Sequence, residues 1–163
     1  METGEHLTSA RLRALPSWLI NQAAILANRL TDQALAGTGS RRYHYAMLAV
    51  LAEFGPSSQA DLGRCTGIDR SDVVAAVNFL AQQGYVARSP DPADRRRNIV
   101  SITAAGADHL ERLSALLAEA QDQLLSAWSA DERDGLVQQL TRILNDHQGT
   151  TAIRGSVSRG RES

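Results

Sequence analysis

The stretch Asp91-Pro92-Ala93-Asp94-Arg95-Arg96-Arg97-Asn98-Ile99-Val100-Ser101-Ile102-Thr103-Ala104-Ala105-Gly106 decides how the rest of this 163-residue chain is read. It opens on a turn broken by Pro92 and then places three cations, Arg95, Arg96 and Arg97, in a row. A short apolar alternation follows through Ile99, Val100 and Ile102, and Thr103 stands where a helix N-cap is expected. Just upstream, Tyr85-Val86-Ala87-Arg88 is a second extended run. Two such runs around a polar loop spell a β-hairpin, here with a basic tip. A lone hairpin is not stable in water, so this one must lean on neighbouring helices.

The preceding residues supply those helices. Leu15, Leu19, Ala23, Leu26 and Leu30 recur at helical spacing behind Pro16, and Gly37 with Gly39 ends the run. A second helix is expected from Arg41 to Phe54, capped by Ser40 and stopped by Gly55-Pro56. Ser58-x-x-Asp61 reads as a capping box before a short third helix, which Thr66-Gly67 closes. Asp69-x-x-Asp72 repeats the pattern before a fourth helix carrying Val73, Val77 and Leu80, with Gly84 as its terminator. Two short helices around a tight Gly-containing corner form a helix-turn-helix, and a basic hairpin directly after it makes a winged one.

Beyond Thr103 an apolar stripe runs through Leu110, Leu113, Leu117, Ala120, Leu124 and Trp128. Ser129-x-x-Glu132 opens a last helix with Leu136, Leu140, Ile143 and Leu144. A domain of this size cannot cover such long stripes by itself. Residues 1–13 lack periodicity and are expected to be a flexible arm, and 147–163 a disordered tail.

Charge and composition narrow the function. The net charge of −1 hides a division: residues 64–97 hold six Arg against four Asp, whereas 103–146 hold eight acids against three Arg. A basic patch in a neutral protein is therefore the relevant quantity. All 17 basic residues are Arg, which excludes a phosphate-loop Lys, a Schiff base and a Ser-Lys pair. The single Cys65 excludes an internal disulfide framework and reads as a buried structural thiol. The four His show no metal-ligand spacing, so neither metal nor cofactor is expected. No apolar run reaches the roughly 18 residues of a membrane span, and the first 13 residues do not read as a signal segment. The expected location is the cytoplasm.

Taken in order, these pieces resemble the MarR family of bacterial winged-helix transcription regulators over roughly residues 15–146. The most specific part is Asp91-Pro92-x-Asp94-Arg95-Arg96 followed by Val100-x-Ile102-Thr103-x-x-Gly106. Leu62 to Gly67 and Leu80-x-x-x-Gly84-Tyr85-Val86 support it. The resemblance implies a mostly α fold with a small β-hairpin wing: a winged helix-turn-helix over 40–103, and a helical dimerisation region over 14–38 and 104–146. It also implies a homodimer on a palindromic double-stranded DNA operator.

On that reading the fourth helix enters the major groove. Its inward residues by periodicity are Val73, Val77 and Leu80, which leaves Arg70, Ser71, Asp72, Val74, Ala75 and Asn78 facing DNA. Arg70 suits a guanine contact, and Asn78 an adenine or a phosphate. Ala75 and Phe79 depart from the polar residues common at these places in the family. Arg96 matches the family's minor-groove Arg, with Asp94 expected to hold its guanidinium. Arg95 and Arg97 would reach flanking phosphates, as would Ser57 and Ser58 at the start of the third helix. Many relatives bind small aromatic effectors, and Trp18, Asn21, His44 and Tyr45 are the candidates to line such a pocket. Equally, Trp18 and Tyr45 read as ordinary core and His44 as a surface or capping residue.

Two other functions compete. A winged-helix module that binds protein instead of DNA is disfavoured by the Arg triplet. An enzyme lacks any recognisable pairing of catalytic groups, since Asp69 with Asp72 reads as capping.

Overall fold

Seven helices and three short strands follow one another in a computed structural model that describes residues 9–157, with side chains up to residue 147. The Ser9 side chain accepts from the Arg11 amide and starts one helical turn, α1 (Ala10–Arg13). The last residues of the expected flexible arm are therefore helical, while residues 1–8 lie outside the described part. α2 (Pro16–Leu35) begins with Pro16, whose missing N–H would have had no partner in a first turn. A single 3-10 turn, Ala36–Thr38, and Gly39 at φ 73° then reverse the chain into α3 (Arg42–Phe54).

Ser40 does not cap α3, contrary to expectation. Its hydroxyl is engaged instead with His109 Nε2 at 2.7 Å, and His44 Nδ1 takes over the cap by accepting the Arg41 amide at 2.9 Å. Downstream, α4 (Gln59–Thr66) starts as the sequence predicts, with the Asp61 amide donating to Ser58 Oγ at 3.1 Å. Asp69 occupies the cap position of α5 (Arg70–Gln82), but its side chain makes no capping bond.

The wing is larger than a hairpin. β2 (Val86–Pro90) pairs antiparallel with β3 (Asn98–Ile102), running from Val86 opposite Ile102 to Pro90 opposite Asn98. A third strand, β1 (Ser57–Ser58), adds to the other edge of β3, Ser57 opposite Val100 and Ser58 opposite Ile99. The added strand ties the wing to the start of α4. Beneath these elements lies one core: Met47, Leu48 and Leu51 of α3, Leu62 of α4, Val73, Val77 and Leu80 of α5, and Val86 and Val100 of the sheet. Leu110 and Leu113 of α6 (Ala104–Leu124) close it.

The start of α6 is fastened to the start of β2. Thr103 Oγ1 accepts from the Gly106 amide at 3.1 Å, the expected N-cap, and donates to the Gly84 carbonyl at 2.6 Å. The Thr103 amide donates to the Tyr85 carbonyl at 3.0 Å. Gly106 makes this possible, because a Cβ there would stand 2.0 Å from the Tyr85 carbonyl oxygen.

A second buried junction is polar. Arg112 carries only donors, so its 2.7 Å contact makes His109 Nδ1 the acceptor and leaves the His109 proton on Nε2. That N–H donates to Ser40 Oγ, and the ring stacks on Tyr85 at 4.1 Å. His109, Ser40 and His44 are all buried. Burial, and then the Arg112 guanidinium, push the His109 pKa below its ordinary value. For His44 burial again comes first, followed by Arg41 and His109.

Residues from Leu125 onward form a separate compact unit. Here Ser129 and Glu132 make the reciprocal capping box, Ser129 N to Glu132 Oε2 at 2.7 Å and Glu132 N to Ser129 Oγ at 3.2 Å. They open α7 (Ala130–Val157). Because α7 runs to Val157, residues 147–157 of the expected disordered tail are helical, while 158–163 lie outside the described residues.

Two outcomes follow from these junctions. Gly106→Ala is expected to destabilise the fold by about 3 kcal/mol or more, since backbone must move to admit a methyl group, and urea unfolding measures it. Both histidines favour the neutral form in the folded chain, whereas the unfolded chain takes up protons as pH falls through about 6.5. Stability is thus retained above that pH and declines below it. Thermal midpoints are expected to fall between about pH 7 and pH 5, and the slope to shrink in His109→Gln.

Candidate nucleic-acid interface

Core demands fix the aspect of α5. Val73, Ala76, Val77 and Leu80 are buried, so the remaining faces turn to solvent. Arg70, Ser71, Asp72, Val74, Ala75 and Asn78, the six residues expected to face DNA, are all exposed. Phe79 belongs to neither set: it is half-buried, with its ring stacked on His44 at 4.3 Å. Its departure from the family's polar pattern is explained by that contact, which lies away from the exposed face.

Asn78 is not free. Its Oδ1 accepts a hydrogen bond from the Arg88 guanidinium of β2. Arg88 was not among the residues singled out from the sequence. The signal was faint: an exposed Arg in a strand, ten residues after Asn78 and on the far side of the Gly84 turn.

The tip of the wing is built by two aspartates acting on backbone. Asp91 Oδ1 accepts the Ala93 amide at 2.9 Å, and Asp94 Oδ1 accepts the Arg96 amide at 3.1 Å. The Asp91 amide donates to the Arg97 carbonyl at 2.8 Å, and the Arg97 amide to the Asp94 carbonyl at 2.9 Å. This corrects the role expected of Asp94, which holds the main chain of Arg96 and not its guanidinium. A carboxylate one turn-residue away reaches the amide more directly than the end of a long side chain. Arg95, Arg96 and Arg97 are exposed and, like Arg70, form no ion pair among the described residues.

Ser57 and Ser58 already have partners for their hydroxyls. Ser57 Oγ donates to the Gly55 carbonyl at 3.0 Å, and Ser58 Oγ donates to Asp61 Oδ2 at 2.7 Å. That Ser58 bond leads in holding the Asp61 carboxyl below the usual range, with Arg64 and Arg97 adding to it. Arg64 is itself paired with Asp61. Within α4, α5 and the wing tip, the exposed arginines without an ion pair among the described residues are Arg70 and the three wing arginines.

The four effector candidates lie on two successive helices, α2 and α3. Trp18 is half-buried and Asn21 exposed on α2, Tyr45 packs against the core, and His44 is the buried cap of α3. A cleft of about 580 Å³ does open where α2 meets α3, lined by Asp32, Leu35, Ser40, Arg41, Arg42 and Tyr43 among others. It includes none of the four. Cys65, expected to be buried, is exposed, because Leu62 sets the inward direction of the short α4 and leaves Cys65 on its flank. No helix among the described residues is long and apolar enough to cross a membrane, and none of them form a cluster able to hold a metal ion.

A MarR family model matches residues 38–97, the segment from the α2–α3 corner to the wing tip. The HTH-type transcriptional repressor NicR of Pseudomonas putida is 30% identical over 104 residues, covering 64% of this chain and 66% of that protein. The chain spans between 54% and 66% of the length of the first curated relatives it matches. Among solved structures, a protein described as a probable transcriptional regulator from Pseudomonas aeruginosa is 33% identical with a TM-score of 0.74, covering 82% of this chain and 99% of that one. Bordetella bronchiseptica BpsR, solved in work on regulation of its DNA binding by 6-hydroxynicotinic acid, shares the fold at 22% identity and a TM-score of 0.73, over 80% of this chain and 93% of its own. The likeness runs well beyond the helix-turn-helix, and the chain belongs to the MarR family of winged helix-turn-helix transcription regulators, which bind DNA and are not enzymes.

Proposed function

We propose that this regulator is a cytoplasmic homodimeric repressor that binds a palindromic operator and is released by a small aromatic effector. The observation that carries the DNA-binding mode is the pairing of an exposed α5 face with a wing whose three arginines are exposed and form no ion pair among the described residues. α5 would lie in the major groove, with Arg70 nearest the base edges. Arg96 at the wing tip suits the narrow minor groove, where negative potential is concentrated, and Arg95 and Arg97 suit the flanking phosphates. A groove-bound tip needs a defined backbone, which Asp91 and Asp94 supply.

The dimer is supported by unburied apolar side chains. Leu15 at the cap of α2 and Leu19, Ile20, Ile25 and Leu26 on it are exposed, and α7 by itself exposes Val137, Leu140, Ile143 and Leu144. Removing such residues from water stabilises by roughly 1 kcal/mol each when half of the side chain is already covered. A second copy of the chain offers equal stripes. In this reading 14–38 and 104–146 supply the dimer body, and 40–103 the DNA-binding lobe.

The effector is supported by the cleft between α2 and α3 and by the effector named for BpsR. Arg41 and Tyr43 there suit the carboxylate and ring of an aromatic acid. Ser40 lines the same cleft and bonds His109, which stacks on Tyr85 at the root of the wing. An effector that binds the DNA-free arrangement more tightly would release the operator through this packed route.

The test is DNA binding to the chain's own upstream region, with random DNA as control. Specific binding is expected to weaken with salt at a slope of about −5 to −7 per dimer, and Arg96→Ala to lower affinity about tenfold while reducing that slope. Equal, weak binding to both DNAs, unaltered in Arg96→Ala, overturns the proposal. Sedimentation at micromolar concentration is expected to give a dimer, and a clean monomer contradicts the dimer body.

A further inference from the structure

Asn78 and Arg88 face each other across the groove between α5 and β2, with Ala81, Gln82 and Val86 beside them. Arginine has donors and no acceptor, so whichever way a carboxamide is turned, the atom it offers Arg88 must be its oxygen. The bond therefore fixes which end of Asn78 points away. Both backbones are already held, Asn78 in α5 and Arg88 in β2 opposite Val100, so only the two side chains have to order. A guanidinium-to-carbonyl bond of this kind is charge-assisted and stronger than one between neutral partners.

We infer that Arg88 is a specificity-determining positioning residue: by holding Asn78 Oδ1 with a cationic donor it disfavours that oxygen as an acceptor from DNA and leaves the Nδ2 hydrogens as the group Asn78 offers most readily. The inference rests on the proposed placement of α5 in the major groove. A free asparagine reads adenine with two bonds, donating to N7 and accepting from the N6 amino group. The carboxamide oxygen has two lone pairs, and with one taken by Arg88 a further donor, adenine N6 or cytosine N4, must approach beside the guanidinium charge, which weakens acceptance from either. Asn78 can still donate to guanine O6 or N7 and to thymine O4. Arg88 thus tilts Asn78 from adenine toward keto bases without touching a base. An unpaired Asn78 would carry the opposite preference on the same helix.

Selection from a pool of random double-stranded DNA, using the full chain, tests this. Wild type and Arg88→Lys, which keeps a donor, are expected to enrich the same two-fold symmetric site. Guanine or thymine should stand at the position whose preference Asn78→Ala abolishes. Arg88→Met should enrich adenine at that position by about tenfold over wild type and leave the other positions alone. An unaltered site in Arg88→Met, while Asn78→Ala still loses one position, overturns the inference and leaves α5 in the groove. So does an even loss of enrichment at every position, which marks Arg88 as a phosphate contact. A wild-type pool without any enriched sequence overturns both this inference and the proposed DNA-binding mode. All the substituted side chains are exposed, so unchanged thermal midpoints serve as the folding control.

Discussion

The contact between Gly106 and the Tyr85 carbonyl is the constraint from which the rest of the DNA-binding lobe takes its geometry. A long helix normally begins some distance from the sheet it follows, because the first side chains need room. Here the absence of a Cβ lets α6 start directly on the backbone of β2, and Thr103 uses its hydroxyl in both directions to close the joint. β3 leads straight into Thr103, and β2 leads away from Tyr85. Both strands of the wing are therefore anchored at one place, so the wing's attitude is set at its root. With β1 on the other edge of β3, the sheet is also fastened to α4.

The same turn carries the buried polar junction. Tyr85 gives its carbonyl to Thr103 and its ring face to His109, and His109 reaches Ser40 in the corner between α2 and α3. Apolar packing alone would allow these helices to slide by fractions of a turn. A buried hydrogen bond does not, because a displaced Ser40 would leave the His109 N–H desolvated and unpaired. The arrangement also selects the neutral imidazole, since protonating Nδ1 would turn a second donor toward Arg112.

Much of this was legible in the sequence because it is local chemistry. The turn at Asp91-Pro92, the cap at Thr103, the glycine at 84 and the inward positions of α5 each depend on neighbours within about a turn. What sequence reasoning missed depends on residues far apart along the chain. Ser57-Ser58 has no strand propensity of its own and becomes a strand only by pairing with β3. Ser40 was read as a cap because nothing local announces a histidine 69 residues away. Asp94 was assigned to the right residue but to the wrong atoms, since spacing does not tell an amide from a guanidinium. Of the effector candidates, His44 serves as a helix cap and Tyr45 packs against the core, the alternative the sequence offers equally for them.

The composition of α5 acquires a physical reason from these contacts. A recognition helix must satisfy the core on one side and DNA on the other, and here the core takes more than its share. Phe79 is drawn inward by His44, and Ala76 is buried, leaving Val74 and Ala75 as apolar ground between Arg70 and Asn78. Such a face suits thymine methyl groups but carries few directional contacts. Each remaining polar group then matters more, and so does whatever orients it. Asn78 is oriented from β2 by Arg88, and the Arg96 backbone from the wing turn by Asp94. Both orienting residues lie outside α5. On the proposed binding mode, discrimination between DNA sequences would be distributed over the helix, the strand and the wing, and would depend on their mutual placement, which the Gly106–Tyr85 joint holds in register.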